Sequence, residues 1–269
     1  MKRWLLGLPM YATCAPADYR QLMRQIVDGL NAAGWNEPVD MPDEVDDLHA
    51  FWRSDRLLLG QACGYPLMTS LAGEVRLLGT PHYDFPGCDG YRYCSFIVVA
   101  EEARAQSLGD LRGMRAAYNQ PDSQSGMNAL RHAVAAMARQ GRFFSSVTAS
   151  GSHRASLQMV KAGQADVAAV DCITHGYLAL HEPHLLEGLR VLCATPPMPG
   201  LPLISSPSLD AEAATLLREV LSHVLAPDGT DTPASRLRLA GFTRTQLADY
   251  RGILDARSRA WDFGYHELA

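Results

Sequence analysis

The run Asn119-Gln120-Pro121-Asp122-Ser123-Gln124-Ser125-Gly126-Met127-Asn128 sets two hydroxyls, an amide and a glycine just ahead of a helical apolar pattern carried by Met127, Leu130, Val134 and Met137. The first turn of a helix leaves N–H groups without intrahelical partners and carries the positive end of the dipole; hydroxyls beside it add neutral donors. Ser123, Gln124, Ser125 and Gly126 are therefore a candidate cradle for a tetrahedral oxyanion. Plain N-capping by serine is the structural alternative. Gly151-Ser152-His153-Arg154-Ala155-Ser156 opens a second helix, with Leu157 and Val160 inward. Ser152 is its expected N-cap, and His153 in the first turn offers an imidazole that can donate to an anion and change charge near neutral pH. A polar surface histidine is the alternative there. One oxyanion could use both amino ends.

Asp171 follows the apolar run Val167–Val170 and is expected at a strand's carboxyl edge. A carboxylate beside an anion site would select a ligand that carries a proton or a cationic group; capping of the helix near Thr174 explains it equally well. Tyr11, Tyr65 and Tyr93 are candidate walls, since tyrosine encloses an organic group while offering a hydroxyl, and each also suits ordinary packing. Cys172, next to Asp171 and downstream of His153, raises the alternative of an enzyme using His153 with Asp171 or Cys172. A buried small thiol is the simpler account. His181-Glu182-Pro183-His184 lacks the HExxH spacing, and Pro183 spoils the helix that motif needs, so no metal is expected. With no GxGxxG and no GxxxxGK[ST], no cofactor is expected either.

The elements that must position these residues alternate short apolar runs with helix-period segments, an α/β pattern with a largely parallel sheet. Strands are expected at 4–8, 57–61, 75–79, 95–100, 114–118, 165–170, 189–193 and 201–205. Helices are expected at 17–33, 126–139 and 152–162, on the face carrying Ala213, Leu217 and Leu221, and through a helical tail over about 233–262 that returns to the first lobe. The stretches 80–90 and 195–202, rich in Pro and Gly, read as crossings between lobes. The expected organisation is a discontinuous first lobe, 1–88 plus 200–269, and a second lobe, 89–199, with a hinged ligand cleft.

The chain has 269 residues, 47% apolar and 20% charged, so it is globular rather than disordered. Its charges sum to 24 − 29 = −5 with basic residues scattered, which argues against nucleic acid as a partner. No apolar run reaches the ~18–20 residues of a membrane helix. Met1 to Pro9 imitates a signal sequence but is short and broken by Gly7 and Pro9, and reads better as a first strand. The six cysteines form no CxxC, and reduced thiols are the expectation.

Together, Cys63-Gly64-Tyr65-Pro66, the Ser-Gln-Ser-Gly run, Gly-Ser-His-Arg-Ala-Ser, Ala-Asp-Val-Ala-Ala-Val-Asp-Cys and Pro-Gly-Leu-Pro resemble the phosphate/phosphite/phosphonate substrate-binding protein family of ABC importers, over residues 4 to 245 or so. The resemblance implies a type II periplasmic-binding-protein fold: two α/β lobes, each a mixed sheet flanked by helices, with ligand bound between them. It implies that Ser123, Gln124 and Ser125 hold phosphonate oxygens, that His153 is the family's helix-start histidine, and that Tyr93 is its cleft tyrosine. Gln124 stands where transporter members often have threonine, which bears on oxyanion specificity. The implied function is non-catalytic: closure over a small phosphorus oxyanion, for uptake with an ABC permease or for sensing. The chain as written points to the cytoplasm, and a mature exported form would be periplasmic.

Overall fold

Apolar runs of period two become strands and amphipathic segments of period 3.6 become helices. The structure, a computed structural model, describes residues 2–226, 229 and 231–269. In chain order the strands are β1 (Trp4–Gly7), β2 (Val39–Asp40), β3 (Leu57–Gln61), β4 (Arg76–Tyr83), β5 (Arg92–Tyr93), β6 (Ser95–Ala100), β7 (Arg115–Tyr118), β8 (Ser146–Ala149), β9 (Val167–Asp171), β10 (Leu189–Ala194), β11 (Met198–Pro199), β12 (Leu203–Ser205) and β13 (Leu239–Thr243). The helices are α1 (Pro9–Ala12), α2 (Pro16–Ala32), α3 (Leu48–Trp52), α4 (Gly64–Met68), α5 (Ala129–Ala135), α6 (His153–Lys161), α7 (Cys172–His181), α8 (Ala211–Val224), α9 (Pro233–Arg236) and α10 (Arg251–Asp262).

The chain divides into two compact units. The first takes the described residues of 1–84, 89–92 and 199–249. Its sheet has the order β13-β4-β12-β3-β1-β2. β1 runs parallel to β2 and β3, while β12 and β13 pair antiparallel to their neighbours. Helix α2 buries Tyr19, Leu22, Ile26 and Leu30. It closes on α8 at Gly29, where a Cβ would stand 2.8 Å from Val220 Cγ1.

The second unit takes 85–88, 93–198 and 250–269, with sheet order β10-β6-β9-β7-β8. β7 is parallel to β8 and β9, and β6 is antiparallel to β9 and β10. Both faces of the central strands are covered, so β6 from Phe96 to Ala100 and β9 from Val167 to Val170 are apolar without interruption. Val98, Ala168 and Val170 pack on one side with Leu157 and Val160 of α6. Ile97, Val99, Val167 and Ala169 pack on the other with Leu130 and Val134 of α5, Ala260 of α10 and Tyr265.

Three expectations are corrected. Neither sheet is largely parallel; both are mixed. The tail over 233–262 is not one helix, because Leu239 to Thr243 forms β13 against Tyr83–Thr80 of β4. Pro81 is tolerated in β4 because β12 pairs with β4 only at Arg76–Gly79, so no ladder bond from its nitrogen is required there. Finally, residues 250–269 cluster with the second unit and not the first. Asn128 Nδ2 donates to Ile253 O at 3.2 Å, Arg131 donates to His266 O at 2.8 Å, and the Ala269 carbonyl accepts from Phe143 N at 2.8 Å and Phe144 N at 3.0 Å.

Tyr265 is fully buried in that core, whereas Phe263 two residues earlier is 58% exposed. Tyr265→Ala should therefore cost about 3–5 kcal/mol of stability and Phe263→Ala within about 0.5 kcal/mol. Urea unfolding of the two variants checks this; equal midpoints would contradict the placement of the tail.

Candidate functional site

Parallel pairing builds the site. Tyr118 of β7 lies in register with Ala149 of β8, and β9 runs parallel on the other flank of β7. Three strands thus deliver their carboxyl ends to one edge of the sheet, where ligands of α/β sheets bind. The two strand-to-helix turns are tied by the main chain: Ser150 N donates to Tyr118 O and Gly151 N to Asn119 O, each at 2.8 Å.

After β7, Ser123 is extended and caps the next helix, accepting from Gly126 N at 3.0 Å. The helix begins with a wide turn over Gln124–Asn128, closed by Asn128 N to Ser123 O at 3.0 Å, and continues as α5. Gly126 is required in this turn: a Cβ there would fall 1.9 Å from Asn119 Oδ1 and 2.9 Å from Asn119 Cγ. After β8, Ser152 caps α6 by accepting from Ala155 N at 3.0 Å. Each cap uses an acceptor lone pair of the hydroxyl, which leaves the serine proton for another acceptor.

His153 joins the two turns. Its Nε2 lies 2.8 Å from Ser125 Oγ, 3.3 Å from Asp171 Oδ2 and 3.3 Å from Asn119 Nδ2. Burial pushes the imidazole below the ordinary histidine range, against the opposing pull of Asp171 and the Ala169 backbone, so the ring is neutral at neutral pH. The neutral ring has one N–H: the Ala169 backbone favours it on Nδ1, which leaves Nε2 to accept from Ser125 Oγ and Asn119 Nδ2, whereas the charge of Asp171 favours it on Nε2. Asp171 also caps α7, accepting from Thr174 N at 2.8 Å and Thr174 Oγ1 at 2.6 Å. Its carboxylate thereby orients His153 and holds α7 at once.

The serine, histidine and aspartate do not form a nucleophilic triad. Ser125 and Asp171 both contact Nε2, whereas a triad needs the carboxylate on the far ring nitrogen. The Cys172 thiol is fully buried, and hydrogen bonding to Cys88, then burial, raises it above the ordinary thiol range, the wrong direction for a nucleophile. Gln124 is also turned inward: its Oε1 accepts from Asn128 Nδ2 at 2.6 Å, and Asn128 Oδ1 accepts from Arg131 at 2.6 Å. Gln124 can therefore serve an anion through its main-chain N–H, while its side chain supports the turn. Arg154, the cation nearest in sequence, is held by Glu182 at 2.6 Å.

Tyr93 is buried beside Cys94 in the second unit. In the first unit, Tyr11 is buried in α1 with its ring against Tyr83 at 5.5 Å, and Tyr65 is half-buried in α4, where its carbonyl accepts from Thr69 Oγ1 at 2.7 Å. Asn119, Thr174 and Ser150 carry no motif of their own in the sequence. Only the pairing of β7 with β8 brings Asn119 and Ser150 to this edge.

Because the folded His153 is depressed, the unfolded chain binds more protons between the two pKa values. Its contribution is present above about pH 6.5 and is lost as pH falls below the ordinary histidine value. His153→Gln should flatten the fall in Tm between pH 7.5 and 5 relative to the wild type; parallel curves would contradict a buried neutral imidazole.

A match to the family described as "ABC transporter, phosphonate, periplasmic substrate-binding protein" spans residues 57–250. No curated protein matches the chain. Among solved structures, PhnD1 from Prochlorococcus marinus in complex with methylphosphonate is similar at TM-score 0.76 and 14% identity, over 96% of this chain and 98% of that one. A binding-protein component of an ABC phosphonate transporter from Pseudomonas aeruginosa is similar at TM-score 0.74 and 16% identity, over 97% and 87%. A Xanthomonas citri protein bound to ATP is similar at TM-score 0.72 and 16% identity, over 99% of both chains. These likenesses give the type II periplasmic-binding-protein fold. Among the described residues no helix is long and apolar enough to cross a membrane. With nearly three quarters of its length inside the family match, the chain belongs to the periplasmic substrate-binding proteins of phosphonate ABC transporters, a family that binds solutes for uptake.

Proposed function

We propose that the chain binds a small phosphorus oxyanion, phosphonate or phosphite in type, at the serine-capped turn Ser123–Gly126, and presents it to an ABC permease. The observation that carries this reading is the 2.8 Å contact between Ser125 Oγ and His153 Nε2, which holds two helix amino ends at one sheet edge. The donors are the hydroxyl protons of Ser123, Ser125 and Ser152 and the main-chain N–H groups of the first turns. Arg154, the cation nearest in sequence, is paired with Glu182, so the donors of this reading are dipoles. Asp171, buried behind His153, disfavours a second negative charge on the ligand, which favours a monoanion or a zwitterion over a dianion. Its contacts with Thr174 and His153 support a positioning role.

A hydrogen bond to a charged group contributes about 1.5–3 kcal/mol, so Ser125→Ala should weaken methylphosphonate or phosphite binding about 10- to 100-fold. Calorimetric titration of wild type and variant with methylphosphonate, phosphite, phosphate and sulfate reads this directly. Equal affinities in wild type and variant, or sulfate as the preferred anion, would overturn the assignment. Gly126→Ala should abolish binding, because the added methyl displaces Asn119 from His153; retained affinity would show that the turn is not the cradle.

A further inference from the structure

Three of the six cysteines converge behind the site, within the second unit. Cys88 Sγ and Cys172 Sγ lie 3.5 Å apart, and Cys94 hydrogen-bonds to Cys172. The main chain builds this convergence. Cys94 N donates to Gly87 O at 3.1 Å, and Cys172 N donates to Cys94 O at 3.0 Å. Gly87 has φ of +95°, and a Cβ on it would stand 2.7 Å from Cys94 Sγ and 2.9 Å from Cys172 Cβ. Glycine there is what permits the thiols to meet. Among the described residues no group of side chains has the arrangement of a metal site, so the cluster is not explained as a metal centre.

We infer that Cys88 and Cys172 are an oxidisable dithiol, a modification site that closes to a disulfide linking the 85–88 segment to the start of α7. Closure needs the sulfurs to move from 3.5 Å to about 2.05 Å. Cys88 is half-buried, whereas Cys94 and Cys172 are buried. Hydrogen bonding among the thiols, together with burial, raises both Cys94 and Cys172 above the ordinary range, so an oxidant meets Cys88 first. With a hydroperoxide, the Cys88 thiolate attacks one peroxide oxygen, the O–O bond breaks, and the alcohol or water leaves, giving a sulfenic acid. Cys172 sulfur then attacks Cys88 sulfur, its proton and the hydroxyl leave as water, and the disulfide forms. Two thiols are oxidised and one peroxide is reduced. The step does not depend on which oxyanion the protein binds.

The test uses the full chain, reduced, then exposed to hydrogen peroxide and mapped by peptide mass spectrometry under non-reducing conditions. The expected result is loss of two titratable thiols, a Cys88–Cys172 cross-linked peptide, and full recovery with a thiol reductant. Cys94→Ser should keep the cross-link, and Cys88→Ser, a change at a half-buried position, should lose it while circular dichroism shows the fold intact. Persistence of all six thiols in the folded wild type, a cross-link to Cys94, or oxidation that stops at Cys88 with Cys172 free would each overturn the inference; the wild-type map alone decides if a variant does not fold.

Discussion

A buried neutral imidazole bonded to a serine hydroxyl is the constraint around which the second unit is organised. His153 Nε2 and Ser125 Oγ, 2.8 Å apart, fix the separation of two helix amino ends that begin on neighbouring parallel strands. Each helix satisfies part of its own first turn with a serine cap, and the remaining donors face the same edge of the sheet. Asp171 lies against the same ring nitrogen as Ser125, and Thr174 fixes Asp171. Under the proposed reading the oxyanion would meet donors oriented in advance, which favour a particular geometry as well as a charge.

The support behind the turn is equally specific. Gln124, Asn128 and Arg131 form a buried polar chain that runs from the first helical turn to the carbonyls of Ile253 and His266. Each partner in this chain is expensive to leave unpaired, so the network fixes the turn against the C-terminal helix and gives residues 250–269 their place in the second unit. The Gln124 amide is used inward, as part of this support.

Much of the fold was legible because β6 and β9 are short, unbroken apolar runs and α2 and α6 carry a clean period of 3.6. The strand ends at 95–100 and the helix around 153–161 followed directly from those patterns and from Ser152 as cap. The candidate site was legible as far as Ser123, Ser125, Ser152 and His153, because hydroxyls before an apolar helix pattern announce an amino end. Strand β13 was not, since Leu237 to Ala240 suits a helix as well, and only pairing with β4 selects the extended form. The contact of Asn119 with His153 was not legible, since it comes from strand register, whereas the capping of α7 by Asp171 at Thr174 was readable from the sequence. That the Gln124 side chain turns inward to Asn128 was not legible, because a sequence does not show which way a buried amide points.

The central claim is that the main-chain N–H groups of the Ser123–Gly126 turn and the start of α6 receive the oxyanion. Titrating methylphosphonate into 15N-labelled protein and following amide resonances tests it most directly. The account predicts downfield proton shifts concentrated at Gln124, Ser125, Gly126 and His153, all saturating together. Saturable shifts confined to other residues, with these four unmoved, would contradict it.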